Sequence, residues 1–299
     1  MNNSQNKSSQ QSSPHPPLGD RSDNRGCVVH CPATIANLVC GFDILGLALE
    51  APYDIMEVSF KDEPGITLSS SAAYNLPTIP EDNVAGASLL ALMEAYEKPV
   101  GFHVHIDKQI KPGSGLGSSA ASSAGAVVAA NHLLGNIFSN EDLVRFAMNG
   151  EKVASGVKHA DNITPCIYGG VTLIRSIFPL DIVTLDAPPL FVTVVHPQIE
   201  VKTSDARQIL RKEVLLKDAI KQWGNIAGLV AGFMKHDYQL IGRSLEDVII
   251  EPVRSILIPS FDTVKNSCKE AGALGGGISG SGPSIFMLSE QKQTAEKVE

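Results

Sequence analysis

The stretch Pro112-Gly113-Ser114-Gly115-Leu116-Gly117-Ser118-Ser119-Ala120-Ala121-Ser122-Ser123-Ala124-Gly125 sets glycine at alternate positions and then runs straight into small residues able to start a helix. Glycine lets the backbone approach a ligand with no Cβ in the way and supplies dihedrals that other residues avoid. A helix start offers unpaired N–H groups and a partial positive charge, so phosphate binds there readily. Ser118 and Ser119 add hydroxyls that can reach phosphate oxygens or a metal. A free Gly/Ser linker would continue polar, whereas Val127, Val128, Leu133 and Leu134 follow at once and anchor this segment. It therefore reads as a phosphate loop running into a helix. It is not a Walker-type loop, because no Lys follows its last Gly. Gly275–Gly280 matches G-x-G-x-x-G, but a strand follows it instead of a helix, and the chain ends too soon for the acidic ribose ligand of a dinucleotide fold.

Outward from the loop, strand and helix patterns interleave. Tyr53–Phe60 alternates, with Met56, Val58 and Phe60 on one face, and Gly65–Ser70 reads as its hairpin partner. Asp82 or Asn83 starts a helix carrying Ala87, Leu90 and Ala91 toward Tyr96. Phe102–Asp107 is a further strand, followed by helices near Ser118–Leu134 and Glu141–Ser155 that Gly135 and Gly156 close. Strands are expected at Gly170–Ile177, Leu190–His196 and Ser284–Leu288, and helices near Asp205–Gln222, Asn225–Lys235 and Asp262–Ala271. The weakest seam is Phe178–Pro189, which contains proline and lacks helical periodicity. Hairpins mixed with helix pairs predict an α+β fold, sheets covered by helices on one face, in two domains.

The chain has 299 residues, enough for one large domain or two of moderate size. Lys and Arg total 24 against 32 Asp and Glu, a formal charge of −8 that gives no general attraction to nucleic acid or anionic membrane. Five Cys among apolar neighbours suit reduced thiols in the cytoplasm. No apolar run is long enough to span a membrane. Residues 1–25 are rich in Ser, Gln, Asn and Pro and are expected to be a disordered tail.

Several side chains stand out by pattern. Val144, Ala147, Glu151 and Ala154 recur at spacings of three and four, which places a carboxylate in an apolar stripe. Such a group needs a cation or strong donors. A metal is one solution; a pair with Lys152 or Lys158, or exposure at the stripe's edge, are others. His159 and Asn162 sit where a helix runs into a polar turn, and by sequence alone read as a packed His and a cap. His103 and His105 share one strand face without a third metal ligand at useful spacing. The lone Trp223 reads as packing.

The loop 112–121 resembles the central motif of the GHMP kinases, which phosphorylate small alcohols with ATP. Gly276-Gly277-Ile278-Ser279-Gly280-Ser281-Gly282-Pro283-Ser284 resembles the family's C-terminal glycine motif. Pro32–Asp43 with Leu45-Gly46-Leu47 is similar to its N-terminal motif, in the version carried by members that act on homoserine. Lys158–Asn162, Thr203–Arg207 and Glu251-Pro252-Val253-Arg254 fit the same members. The resemblance covers nearly everything from Val28 to Leu288.

The resemblance implies a ribosomal protein S5 domain 2-like N-terminal domain over 26–180 and a ferredoxin-like C-terminal domain over 181–299. The family usually continues through a helix and a closing strand, so the second domain is expected to be cut short at Glu299. ATP is the implied phosphoryl donor, held by Pro112, Gly113, Ser114, Gly115, Leu116, Gly117, Ser118, Ser119, Ala120 and Ala121, with Asn83 at the adenine. Ser119 and Glu151 are implied as Mg²⁺ ligands, in keeping with that ion's preference for hard oxygens completed by phosphates and water. Many members carry a catalytic Asp seven residues before a Gly-Gly pair; here Asn162 stands seven before Gly169-Gly170. Asn cannot accept a proton as a base, so catalysis would rest on alignment and charge neutralisation. The expected catalytic residues are Asn162, His159, Ser119 and Glu151.

For the acceptor the resemblance implies L-homoserine. Arg207 and Arg254, with Thr203, would grip its carboxylate. Asp43, with Asn37 nearby, would hold its ammonium group, and His159 and Asn162 would line the same site. A homodimer is the one protein partner expected, with neither nucleic acid nor membrane.

Overall fold

The computed structural model describes residues 26–71 and 74–299; the tail expected at 1–25 lies outside the described residues. β1 (Gly26–Ala36) and β2 (Leu45–Phe60) form a long antiparallel pair. β3 (Gly65–Ser70), α1 (Val84–Tyr96) and β4 (Gly101–Asp107) follow, then α2 (Ser118–Leu133), α3 (Asn140–Ser155) and α4 (Ile163–Tyr168). The hairpin β5 (Val171–Ile177) and β6 (Leu180–Leu185) completes a sheet ordered β3-β4-β2-β5-β6, with β1 also paired to β2. β2 is long enough to pair β4 through its second half and β5 through its first.

A smaller sheet, ordered β7-β9-β8, contains β7 (Phe191–Val195), β8 (Gly275–Ile278) and β9 (Ile285–Ser289). Between and after its strands come α5 (Thr203–Gln208), α6 (Leu216–Lys235), α7 (Tyr238–Ser244), α8 (Glu251–Arg254), α9 (Phe261–Glu270) and α10 (Lys292–Val298). The two sheets share a core: Ile35, Leu45 and Val171 from the larger meet Phe286 and Leu288 from the smaller and Phe233 from α6. The fold is α+β, as expected.

α2 is buried almost all round, which its small residues permit. Ala120, Ala121, Ala126, Ala129 and Ala130 are fully enclosed. A Cβ added at Gly125 would lie 2.1 Å from Cys31 Sγ, so β1 approaches this helix where a side chain is missing. α3 starts in a capping box, Ser139 with Asp142, and stops at Gly156 in a left-handed conformation.

The structure corrects several expectations. β3 is not the hairpin partner of β2; it pairs parallel with β4, and α1 forms the crossover that a parallel pair requires. The seam expected at Phe178–Pro189 holds β6, so the boundary drawn at 180/181 falls at the start of a strand that pairs with the first sheet. Proline there makes a hairpin turn. The helix expected over Asp205–Gln222 is two, interrupted over 209–215, where Arg211, Lys212, Glu213 and Val214 are all exposed and offer no apolar stripe. α6 then runs unbroken through Trp223-Gly224-Asn225. Trp223 is 58% exposed and does not pack. Its neighbour Gln222 is the buried one, donating to the Cys40 carbonyl at 2.8 Å and accepting from the Val248 N–H at 3.0 Å.

One buried ion pair braces the loop. Lys108 is bound to Asp54 and also donates to the Ser118 carbonyl at 2.6 Å and the Ser122 hydroxyl at 2.9 Å. The other Asp54 oxygen accepts the N–H groups of Gln109 and Ile110, each at 2.8 Å. Removing one partner strands the other charge away from water, so Asp54→Ala should cost about 3–5 kcal/mol of stability by urea denaturation. A loss below about 1 kcal/mol would show that the pair does not brace the fold.

Candidate active site

The glycine loop 112–117 is pinned from three directions. The Thr34 N–H donates to the Leu116 carbonyl at 3.1 Å, the Ser284 N–H to the Ser114 carbonyl at 3.4 Å, and the Ser279 hydroxyl to the Gly115 carbonyl at 2.7 Å. Gly115 has φ +84, and a Cβ there would lie 2.6 Å from the Ser279 carbonyl oxygen. The second glycine motif thus packs directly on the first. Beyond the loop the opening turn of α2 faces a cleft of about 360 Å³.

Nearly all the expected residues line this cleft: Asn37, Asp43, Asn83, Pro112, Gly113, Gly115, Gly117, Ser118, Ser119, Glu151, His159, Asn162, Thr203, Arg207 and Arg254. Ser114, Leu116, Ala120 and Ala121 do not line it. Leu116 packs into the core, and Ala120 and Ala121 are fully buried, so ligand contact from them is confined to the backbone. The Ser118 hydroxyl is spent on the Ile110 carbonyl, 2.8 Å away. Ser119 is the loop serine whose hydroxyl stays beside Glu151.

Glu151 is only 7% exposed, and its Oε1 is buried with no hydrogen-bond partner. Neither Lys152 nor Lys158 pairs with it among the described residues. Burial pushes its carboxyl above the usual range, while the Ser119 hydroxyl and the Lys108 charge pull it back. An orphaned carboxylate oxygen beside the Ser119 hydroxyl is a hard-oxygen pair that fits Mg²⁺ once phosphate and water complete the shell. His103 and His105 belong to no metal cluster among the described residues, and His105 Nδ1 lies 2.9 Å from the Ser69 hydroxyl.

Asn83 lines the cleft, yet its carboxamide is committed elsewhere. Its oxygen accepts the N–H groups of Ala85 and Gly86 as the cap of α1, and its nitrogen donates to the Pro77 carbonyl at 2.7 Å. Leu76, Pro77, Val84 and Ile106 supply the apolar wall at that end.

The opposite end is charged. One Arg207 nitrogen donates to both Asp43 oxygens at 2.8 Å and lies 3.4 Å from His159 Nδ1. Arg254 is 4% exposed; it donates to the carbonyls of Ala206 and Gly280, each at 3.1 Å, and stacks 4.8 Å from the Phe42 ring centre. It is no surface residue. Asn37 is a brace: its amide donates to the Gly280 carbonyl at 2.8 Å and its oxygen accepts the Asp43 N–H at 3.0 Å. Burial lowers the His159 pKa, against the pull of Asp43. The Asn162 oxygen accepts the Thr34 hydroxyl at 2.8 Å.

Sequence reasoning missed Lys108, Gly280 and Ser281 in the lining. Asp161, next to Asn162, also lines the cleft. For Lys108, the available signal was a cation set directly after the last residue of a strand whose alternate residues are apolar.

Family models for the GHMP kinases N terminal domain and the GHMP kinases C terminal match residues 83–170 and 229–299. The homoserine kinase of Chloroherpeton thalassium is 46% identical over 280 residues, covering 89% of this chain and 88% of that one. The chain belongs to the GHMP kinases. Another homoserine kinase, from Methanococcus maripaludis, is 42% identical over 268 residues, with 89% and 88% covered. Among solved structures, a homoserine kinase from Cytophaga hutchinsonii superposes with a TM-score of 0.88 at 47% identity, covering 94% of this chain and 90% of that one. Among the described residues no helix is long and apolar enough to cross a membrane.

Asp161 gives this GHMP site a measurable pH signature. Burial, with the charges of Asp43 and Glu151, raises its carboxyl from 3.8 to about 7. Between those values the folded chain keeps a proton that the unfolded chain releases, so Asp161 lowers stability progressively as pH rises and fully above about 7. Asp161→Asn should therefore raise the melting temperature more at about pH 8 than at about pH 5. A gap that is constant or shrinks toward alkaline pH would contradict the burial of a titrating carboxyl.

Proposed function

We propose that the chain transfers the γ-phosphoryl group of ATP to the side-chain hydroxyl of L-homoserine, giving ADP and O-phospho-L-homoserine on the route to threonine. The observation that carries this reading is a single cleft with an open helix N-terminus at its centre and, at one end, Asp43 set against Arg207 and Arg254. Charges of both signs within a few ångströms suit a small zwitterion. The homoserine kinases among the relatives support the same acceptor.

The triphosphate lies against the first N–H groups of α2, which have no partner within the helix, and takes advantage of its dipole. The adenine rests on Leu76, Pro77, Val84 and Ile106, with Asn83 shaping that wall through its cap and not bonding the base. Glu151 and Ser119 would hold Mg²⁺, which would supply neutralisation of the phosphate charge during transfer.

The acceptor's ammonium takes Asp43 and its carboxylate takes Arg207 and Arg254. Arg207 now holds Asp43, so binding exchanges one ion pair for two. Both partners are about one-third exposed, and a pair of that kind is worth at most about 1 kcal/mol, so the exchange costs little. His159 closes the site beside them, and Thr203 marks its rim, its hydroxyl 3.1 Å from that of Ser281. Asn162 orients the acceptor hydroxyl but has no basic atom to take its proton. As the new P–O bond forms and the bond to the leaving ADP oxygen breaks, that proton passes to a γ-phosphate oxygen or to solvent.

The five cysteines are all free, in keeping with a reducing cytoplasm as the working compartment. The partner expected is the small-molecule acceptor, without nucleic acid or membrane, and a second copy of the chain would show as a doubled molar mass in solution.

A coupled ADP-release assay over homoserine, threonine, serine, mevalonate and galactose tests the reading. Homoserine should give the highest kcat/KM, and analogues lacking its amine or its carboxylate should fall by about 100-fold, the loss of a charge-assisted contact at each end. Chelating the divalent cation should abolish turnover. Comparable turnover of mevalonate or galactose would overturn the assignment.

A further inference from the structure

Thr34 is fully buried in β1 and lies outside the lining of the cleft, yet it touches both halves of the site. Its N–H holds the Leu116 carbonyl in the phosphate loop, and its hydroxyl donates to Asn162 Oδ1 on the acceptor side. These contacts meet directly under the start of α2. A Cβ on Gly117, whose φ is +66, would lie 2.0 Å from Thr34 Oγ1 and 2.9 Å from Asn162 Oδ1. The chain has left no room there for anything but this hydrogen bond.

A carboxamide has a donor end and an acceptor end of nearly the same shape, and only its partners decide which way it faces. A hydroxyl can donate to the oxygen or accept from the nitrogen, so Thr34 does not choose alone. Here it donates to the Asn162 oxygen, which leaves the amide N–H groups for the cleft that Asn162 lines, and oxygens bound in that cleft hold the amide this way round. There they meet oxygen atoms that can only gain from a donor: the lone pairs of the acceptor hydroxyl and the γ-phosphate. Turned over, the amide would present its own lone pairs to that same ring of oxygens and repel them.

We propose that Thr34 is a positioning residue for phosphoryl transfer: its hydroxyl locks the Asn162 carboxamide with its N–H donors toward the reacting oxygens, and its backbone ties that lock to the phosphate loop. The proposal rests on the role given above to Asn162. It explains how a site without a basic side chain at this position keeps its acceptor aligned. A misoriented amide leaves substrates bound but poorly aligned, which lowers kcat more than it raises either KM.

The test is a set of variants: Thr34→Val, of the same shape without the hydroxyl; Thr34→Ser, which keeps it; Asn162→Ala; and the Thr34→Val, Asn162→Ala double variant. Thr34→Val should lower kcat about 10- to 100-fold with both KM values within about threefold of wild type, and Thr34→Ser should restore most of the rate. In the Asn162→Ala background Thr34→Val should have no further effect. Equal damage from Val and Ser, or full additivity with Asn162→Ala, would overturn the proposal. So would a slowed Asn162→Ala beside an unaffected Thr34→Val, with the role of Asn162 surviving. An unaffected Asn162→Ala would instead remove that role and the proposal with it. Thermal melts show which variants are folded, and Thr34→Ala replaces Thr34→Val if the latter does not fold.

Discussion

Three hydrogen bonds to consecutive carbonyls hold the stretch Ser114–Leu116: from the Ser284 N–H, the Ser279 hydroxyl and the Thr34 N–H. Two come from the turn between β8 and β9 in the small sheet and one from β1 in the large one. A loop tied on both sides cannot drift, and the helix that grows from it starts at a fixed point between the sheets. Every other feature of the cleft is measured from that point. Glu151 on α3, Asn162 at the start of α4 and the charged end around Asp43 are brought to the same opening turn because the sheets that carry their elements are locked to the loop. The glycines make this possible by omission, since a side chain at Gly115 or Gly117 would occupy the space where the partner backbone or hydroxyl now sits.

The electrostatics follow from the same crowding. Asp43, Glu151 and Asp161 gather around one cleft with Lys108, Arg207 and Arg254. The cations do not all serve ligands. Lys108 is absorbed by Asp54, the loop and α2, and Arg254 is half consumed by carbonyls. Arg207 is the adjustable one, since its partner Asp43 is itself a group a zwitterion would claim. The Asp43–Arg207 pair thereby compensates one charge of each sign at the acceptor end, while Arg254 is held by carbonyls alone.

Local chemistry was readable from the sequence. The phosphate loop, the cap at Asn83, the stripe on α3 and the stop at Gly156 all depend on residues within a few positions of one another, and the structure holds them where the pattern places them. What was not readable depends on distant partners. Gly65–Ser70 carries the alternation of a strand but nothing that says whether β2 or β4 will be its neighbour. The resemblance implies Asn83 at the adenine, and only the structure shows that its amide nitrogen, too, is engaged, on the Pro77 carbonyl. Arg207 and Asp43 are 164 positions apart and each looked like a ligand group; their mutual pairing has no sequence signature. Thr34 lies within the stretch Pro32–Asp43 that carries the resemblance, but nothing in the sequence marks it as touching both the loop and Asn162. Trp223 misled because size and hydrophobicity say nothing of which side of α6 a residue occupies when the buried side is anchored by Gln222.

The central claim is that the opening turn of α2 brings a nucleotide triphosphate and a zwitterionic acceptor together in one cleft. A crystal structure of the chain with a non-hydrolysable ATP analogue, Mg²⁺ and L-homoserine measures this directly. The account predicts phosphate oxygens on the first N–H groups of α2, the acceptor hydroxyl facing the γ-phosphorus beside Asn162, and Arg207 moved from Asp43 to the homoserine carboxylate. Phosphates seated away from α2, or homoserine bound with the Arg207–Asp43 pair intact and its hydroxyl turned from the γ-phosphate, would contradict it.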